Sequence, residues 1–143
     1  MKIGFKIILC FILICSCNSS SDIDLTKLDG YWEIVNVKKD GELVMEYKMS
    51  PIIDYWQLSD DNTGFRKKVM PNLEGKIIVT QHSMPFKLME EEQITVYYND
   101  GGNEYFEHIK RLEDSLLVIT NKENLIYTYK RYKPMNLEDV TKE

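Results

Sequence analysis

Residues 28–37 read LDGYWEIVNV, and this stretch carries the clearest fold signal in the chain of 143 residues. Its side chains alternate, so that Trp32 and Ile34 point to one side of an extended strand while Tyr31 and Glu33 point to the other. Large apolar and aromatic residues dominate one side, which is typical of a strand with one buried face. The stretch therefore predicts a β-strand at the start of a folded domain.

Further segments of this kind follow at regular intervals. Turn residues such as Asp40-Gly41 and Asn99-Asp100-Gly101-Gly102 separate them, and the glycines supply the positive φ that tight hairpin turns need. The later predicted strands occupy residues 42–47, 52–58, 63–69, 76–81, 84–89, 93–98, 104–110, 116–120 and 125–132. Short strands at this spacing predict an all-β fold, a small up-and-down antiparallel β-barrel of eight to ten strands, which removes its edges by closing.

Two of these strands have alternatives. Residues 84–89 also fit a loop, and residues 104–110 also fit a helix, because Tyr105, Phe106 and Ile109 match either period. We choose a strand for 104–110, since it preserves the regular spacing of the other segments.

An apolar run precedes the strands and ends at Ile14-Cys15-Ser16-Cys17. Lys2 and Lys6 stand before it, and two charges, about ten apolar residues and a small residue are typical of a secretory signal peptide. The run is shorter than the roughly twenty residues that a membrane span needs. Its last four residues resemble a bacterial lipobox, and the resemblance implies cleavage before Cys17 and acylation of Cys17, with palmitate among the lipids. The alternative is that Cys17 is an ordinary residue of a cleaved signal.

These observations divide the chain into a cleaved signal peptide (1–16), a lipidated N-terminus with a flexible tether (17–27), the β-barrel (28–133) and a C-terminal tail (134–143). The implied partner is a membrane, reached through the N-terminal lipid. Asn18 is not the aspartate that retains many lipoproteins at the inner membrane, so the outer membrane of a Gram-negative bacterium is favoured. Residues 21–24 loosely resemble an acidic surface-export signal, and the periplasmic and surface faces both remain open.

The net charge argues against one class of partner, and the cysteine positions argue against disulfides. The chain has 18 basic and 23 acidic side chains, for a net charge of -5, and loss of Lys2 and Lys6 leaves 16 against 23, or about -7. A nucleic-acid partner would be repelled by that balance. Because Cys10, Cys15 and Cys17 all lie in or beside the signal, the folded domain has no disulfide and relies on its hydrophobic core.

No motif indicates an enzyme, a metal site or a cofactor. His82 and His108 are the two histidines, and the chain contains neither a His-Glu-x-x-His nor a Gly-x-Ser-x-Gly motif nor a glycine-rich phosphate loop. Residues 60–64, DDNTG, offer oxygen ligands for calcium but lack the remaining ligands of a dedicated loop, so we predict a hairpin turn there. We expect a non-enzymatic protein.

One basic cluster, Arg66-Lys67-Lys68, stands out in this acidic domain. Alternation puts Arg66 and Lys68 on one strand face, where they could contact lipid headgroups or an acidic partner. A solvated face that discourages pairing with other strands explains the cluster equally simply, and we favour that interpretation.

A resemblance sharpens the fold prediction. Gly30-Tyr31-Trp32 on the first strand and Arg131 on the last resemble the lipocalin pattern, and that resemblance implies that the arginine packs over the tryptophan at the closed end of the barrel. Residues 28–133 look like the lipocalin-like lipoproteins of Gram-negative bacteria, and the segments 50–55, 64–68 and 127–131 carry the likeness. At about 106 residues, the domain is shorter than a typical lipocalin, and its interior could be filled by side chains.

Two functions follow from the resemblance. In the first, a membrane-anchored barrel binds a small hydrophobic ligand in a pocket lined by Tyr98, Tyr105, Tyr127 and Tyr129, with its mouth opposite Trp32. In the second, these tyrosines fill the core, and the protein is a non-enzymatic accessory subunit that contacts another protein of an outer-envelope assembly. The second predicts an exposed apolar patch.

Overall fold

The computed structural model describes residues 23–72, 74–79 and 83–133. The predicted signal peptide, the predicted acylation site at Cys17, His82 and the C-terminal tail lie outside these residues.

A short 3-10 helix, Leu25–Leu28, leads into the strands. The strands are β1 (Gly30–Lys39), β2 (Glu42–Glu46), β3 (Ile53–Leu58), β4 (Thr63–Pro71), β5 (Ile77–Val79), β6 (Met84–Glu90), β7 (Ile94–Asp100), β8 (Asn103–Leu112), β9 (Leu116–Asn121) and β10 (Leu125–Arg131). The segments 84–90 and 103–112 are therefore strands rather than a loop and a helix.

Eight strands close into an antiparallel barrel in the order β1, β3, β4, β6, β7, β8, β9, β10 and back to β1. The closing pair aligns Trp32 with Arg131 and Ile34 with Tyr129. Two further strands lie outside this ring, since β2 pairs with the second half of β1 and β5 with the end of β4. The prediction of a small all-β barrel is confirmed.

Turn chemistry explains two of the hairpins. Asp40 (φ 50°) and Gly41 (φ 85°) form the two-residue connection between β1 and β2, and Gly101 (φ 60°) and Gly102 (φ 94°) connect β7 to β8. Two consecutive residues with positive φ match the right-handed twist of the flanking strands.

The core lies inside the barrel and is built from inward-facing side chains of the ring strands and from Leu28. Its largest side chains with essentially no solvent exposure are Trp32, Trp56, Tyr98, Leu28 and Leu117. Phe86, Leu88, Val96, Ile109, Leu112, Ile119 and Tyr129 complete the same cluster.

The chain reaches the barrel earlier than the sequence indicated. Ile23 and Leu25 pack against the core, and Leu28 is fully buried, so the predicted flexible tether does not extend through residues 23–27. Asp24 begins the 3-10 helix, because its carboxylate accepts a hydrogen bond from the backbone N–H of Thr26 (3.1 Å). The prediction of a tether followed the mostly polar composition of this segment and overlooked the packing of Ile23 and Leu25.

Candidate functional site

One end of the barrel is sealed by Trp32 and Arg131, and we call it the sealed end. The guanidinium carbon of Arg131 lies 3.7 Å from the centroid of the Trp32 ring. The same guanidinium donates hydrogen bonds to the backbone carbonyls of Lys27 (2.6 Å), Asp29 (2.6 Å) and Asp114 (3.0 Å). Arg131 therefore ties the 3-10 helix and the β8–β9 connection across the bottom of the barrel.

The Trp32 indole also contributes a hydrogen bond at the sealed end. Its Nε1–H donates to the carbonyl of Leu28 at 2.9 Å, which satisfies the ring nitrogen in the core. The structure thus brings together the two residues that the lipocalin pattern pairs.

Halfway along the barrel, five polar side chains form one connected cluster that we call the polar layer. Its members are Asp54, Arg66, Tyr98, Glu107 and Tyr129. Arg66 is the centre: it contacts Asp54 through Nε (3.2 Å) and Nη2 (3.0 Å), and Glu107 through Nη1 (3.0 Å). The hydroxyls of Tyr98 (3.2 Å) and Tyr129 (3.0 Å) accept the other bonds from its Nη1 and Nη2.

In the polar layer, the attraction between opposite charges offsets the cost of burying them. Burial would raise the pKa of Asp54, but the positive charges of Arg66 and Lys68 prevail and hold it below its ordinary value of 3.8. Burial would lower the pKa of Arg66, and the charge of Asp54 more than offsets this. Burial raises the pKa of both Tyr98 and Tyr129 well above the usual range of a phenol, so both stay protonated.

The polar layer corrects the interpretation of the basic cluster. Arg66 and Lys68 face the barrel interior, and Lys67 faces outward, over the rings of Tyr55 (5.3 Å) and Phe65 (5.1 Å). The prediction of a solvated face was wrong for Arg66, which is buried, and Lys68 also faces inward although it stays partly exposed. Buried Asp54 lies on the neighbouring strand and forms ion pairs with both cations.

The four tyrosines predicted to line a pocket occupy two levels. Tyr98 and Tyr129 are buried members of the polar layer. Tyr105 and Tyr127 are only partly buried and lie on the side of that layer away from Trp32, which we call the open end. The ring of Tyr105 stacks on Tyr98 with 4.5 Å between centroids.

Further partners fix the two tyrosines of the open end. The Tyr105 hydroxyl donates to the sulfur of Met84 at 3.0 Å. The Tyr127 hydroxyl accepts from Nδ2 of Asn121 at 3.4 Å. Lys68 also belongs to this end, and its side chain retains 37% of its full exposure. The inner-face groups Met84, Tyr105, Tyr127 and Lys68 at the open end are therefore all partly exposed.

The remaining sequence candidates have structural roles. Asp61 accepts hydrogen bonds from the backbone and hydroxyl of Thr63, and Ser59 N–H bonds the Thr63 carbonyl (2.8 Å), so residues 59–63 form the predicted hairpin turn. His108 lies on the outer face of β8, with Thr95 Oγ1 3.1 Å from its Nδ1.

Across residues 23–72, 74–79 and 83–133, three or more His, Cys, Asp or Glu side chains do not gather anywhere in an arrangement that could hold a metal ion. Within the same ranges, no helix has the length and apolar character needed to span a bilayer.

The strands outside the ring carry exposed apolar side chains. On β2, the side chains of Leu43, Val44 and Met45 are each about half exposed. On β5, Ile78 and Val79 are exposed to a similar degree.

Comparisons with known proteins place the chain in a family. Residues 28–119 match the family model of the lipocalin-like domain. In a search of solved structures, one match is the crystal structure of an uncharacterized protein from Bacteroides eggerthii DSM 20697, which is 14% identical, with a TM-score of 0.45 over 73% of this chain and 99% of that one. The search of curated proteins gave no match. With almost two thirds of its length matched by the family model, and a closed antiparallel barrel observed, this chain belongs to the family of lipocalin-like domains.

Proposed function

We propose that this protein is a non-enzymatic binding protein that takes a small molecule into the open end of its barrel. The observation that carries the proposal is a gradient of exposure along the inner face. Trp32 is fully buried. The relative solvent exposure of the side chain is 8% for Arg66, 14% for Glu107 and 37% for Lys68. Exposure therefore rises from Trp32 at the sealed end to Lys68 at the open end.

The walls of the open end suit a small organic ligand. Tyr105, Tyr127 and Met84 offer apolar surfaces, and the two phenols add hydroxyl groups that could orient a bound molecule. Ligand sites in small barrels lie in such mouths, with apolar walls and a few polar groups at defined positions.

Dye titration with a pair of tryptophan variants tests this proposal. The probe is the uncharged dye N-phenylnaphthylamine, whose fluorescence rises in an apolar site. Met84→Trp adds bulk on the inner face of β6, and Lys87→Trp adds the same bulk at an exposed position of the same strand.

We expect saturable dye binding by the natural chain, at least tenfold weaker binding by Met84→Trp, and unchanged binding by Lys87→Trp. Absence of saturable binding, or equal affinity of all three proteins, would refute a binding site in the open end.

We further propose that the protein is attached through an acylated Cys17 to the outer membrane. The support is the lipobox-like sequence Ile14-Cys15-Ser16-Cys17, the basic residues before it and Asn18 after it. The barrel would then be held at a membrane surface by covalent lipid, since two or more acyl chains give stable attachment.

A second candidate function is contact with another envelope protein. The exposed apolar side chains of β2 and β5 favour it, since apolar side chains clustered at a surface are typical of interaction sites. A photo-crosslinker at Val44 in the intact envelope should give one discrete adduct, while a crosslinker at Lys87 should give none. Equal labelling at both positions would exclude a specific contact through β2.

A further inference from the structure

The hydrogen bonds of the polar layer restrict which ligand could bind above it. A guanidinium has five N–H donors. In Arg66 all five are used: the contacts to Asp54 take two, and Tyr98, Glu107 and Tyr129 each take one. Arg66 therefore has no donor left for the head of a ligand.

The charges of this region are also balanced. Arg66 and Lys68 supply two positive charges, and Asp54 and Glu107 supply two negative ones. The Lys68 ammonium is held 2.7 Å from Oδ1 of Asp54. A ligand with a carboxylate head would bring a third negative charge beside Glu107, where Arg66 and Lys68 are both already paired with carboxylates.

Glu107 offers an acceptor at the level of the polar layer. Its Oε2 accepts both the bond from Arg66 (3.0 Å) and the bond from the Tyr98 hydroxyl (2.8 Å). Within the described residues, Oε1 of the same carboxylate accepts no hydrogen bond, and the side chain keeps 14% of its exposure. Glu107 lies two residues from Tyr105 on the inner face of β8, so it is next to the open end.

We propose that the ligand of the open end presents a hydrogen-bond donor, a hydroxyl or an ammonium group, to Oε1 of Glu107, and that ligands with a carboxylate head are rejected. This inference rests on the proposed binding function and adds the chemical class of the ligand. The aromatic walls then hold the apolar part of the ligand, while its head lies against the polar layer.

Three probes of equal chain length test the class: decanol, decylamine and decanoate. Each competes with N-phenylnaphthylamine for the full chain at neutral pH. We expect decanol and decylamine to displace the dye at concentrations at least tenfold lower than decanoate. This ranking uses the unaltered protein, so it does not depend on whether a variant folds.

A matched pair of variants identifies the group responsible. Glu107→Gln removes the charge from the inner face of β8, and Glu104→Gln makes the same change at an exposed position of that strand. We expect Glu107→Gln to reduce the preference for decylamine over decanoate at least tenfold, and Glu104→Gln to retain the preference of the natural chain.

The outcomes separate the two proposals. If the dye binds saturably but decanoate competes as well as the other probes, or if none of the three competes, the inference about the head group is wrong and the binding function stands. If Glu107→Gln and Glu104→Gln behave alike, Glu107 is not the group that selects the head. If neither the dye nor any probe binds, the proposed function itself fails.

Discussion

Trp32 in the first strand of the barrel and Arg131 in the last are direct partners in the register, and the arginine covers the indole at 3.7 Å. They are separated by nearly the whole folded chain, and they meet only where β1 and β10 close the ring. Because Arg131 also binds three backbone carbonyls, this one contact joins ring closure to the sealing of one end.

Trp32→Ala should lower the free energy of unfolding by about 3 to 5 kcal/mol, because it removes a fully buried indole and leaves a cavity. Urea unfolding followed by circular dichroism measures the change. Trp32→Phe is the control, since it keeps an aromatic ring but loses the hydrogen bond to Leu28, and should cost less. A loss below about 1 kcal/mol for the alanine variant would contradict a core position.

A double-mutant cycle between Trp32→Ala and Arg131→Ala should give a coupling energy of at least about 0.5 kcal/mol. The cation over the ring is the interaction that the cycle isolates, while the bonds of Arg131 to backbone carbonyls appear in the single-variant term. Unfolding free energies of the four proteins supply the measurement. Strict additivity would mean that the stacked geometry contributes no energy of its own.

Arg66→Met should destabilise the protein by about 3 to 5 kcal/mol, because it leaves the buried carboxylate of Asp54 and the partly buried carboxylate of Glu107 without their main cation. The same urea experiment measures it. Adding Asp54→Asn to the Arg66→Met variant should recover part of the loss, since one unpaired charge is removed. If the double variant is less stable than Arg66→Met alone, the charge pairing is not the source of the effect.

The contribution of Asp54 to stability should depend on pH. Its folded pKa lies below the ordinary value of 3.8, so the ionised carboxylate stabilises the fold above that value, and the stability is lost as the pH falls through 3.8 toward the folded pKa. The difference in unfolding free energy between the natural chain and Asp54→Asn should thus be largest near neutral pH and shrink below about pH 4. A difference that stays constant with pH would contradict the lowered pKa.

Cys17→Ala should release the protein from membranes and abolish its labelling by a palmitate analogue. Fractionation of cells with anti-tag detection gives the location, and in-gel fluorescence gives the label. Cys10→Ala is the matched control, because it changes a cysteine of the same apolar run without touching the lipobox-like residues, and it should remain bound and labelled. Membrane-bound, labelled Cys17→Ala would exclude this residue as the anchor.

Much of the barrel could be predicted because its signals are local. Alternation in residues 28–37 and the positive-φ turns at Asp40-Gly41 and Gly101-Gly102 determine strands and hairpins with their immediate neighbours. The contact between Trp32 and Arg131 was predicted from the lipocalin pattern and not from residue spacing. Two residues so far apart in sequence produce no local sequence signal of their contact.

The polar layer was missed because charged residues are usually exposed, and that general tendency decided the interpretation of Arg66. A signal was present, however. If β3 and β4 form a hairpin, Asp54 pairs with Lys68 and Trp56 pairs with Arg66, and all four side chains lie on one face of the hairpin. A tryptophan on that face indicates the core, and the aspartate indicates that a buried cation would have a partner. Recognising this needs the register, which the turn residues alone do not determine.

The chain joins the barrel at its sealed end, where Ile23, Leu25 and Leu28 pack beneath the ring. If Cys17 carries the lipid, the six residues before Ile23 can span at most about 20 Å, so the base of the molecule would rest close to the bilayer. The open end would then face away from the bilayer. A ligand would reach it by diffusion through water rather than directly from the membrane.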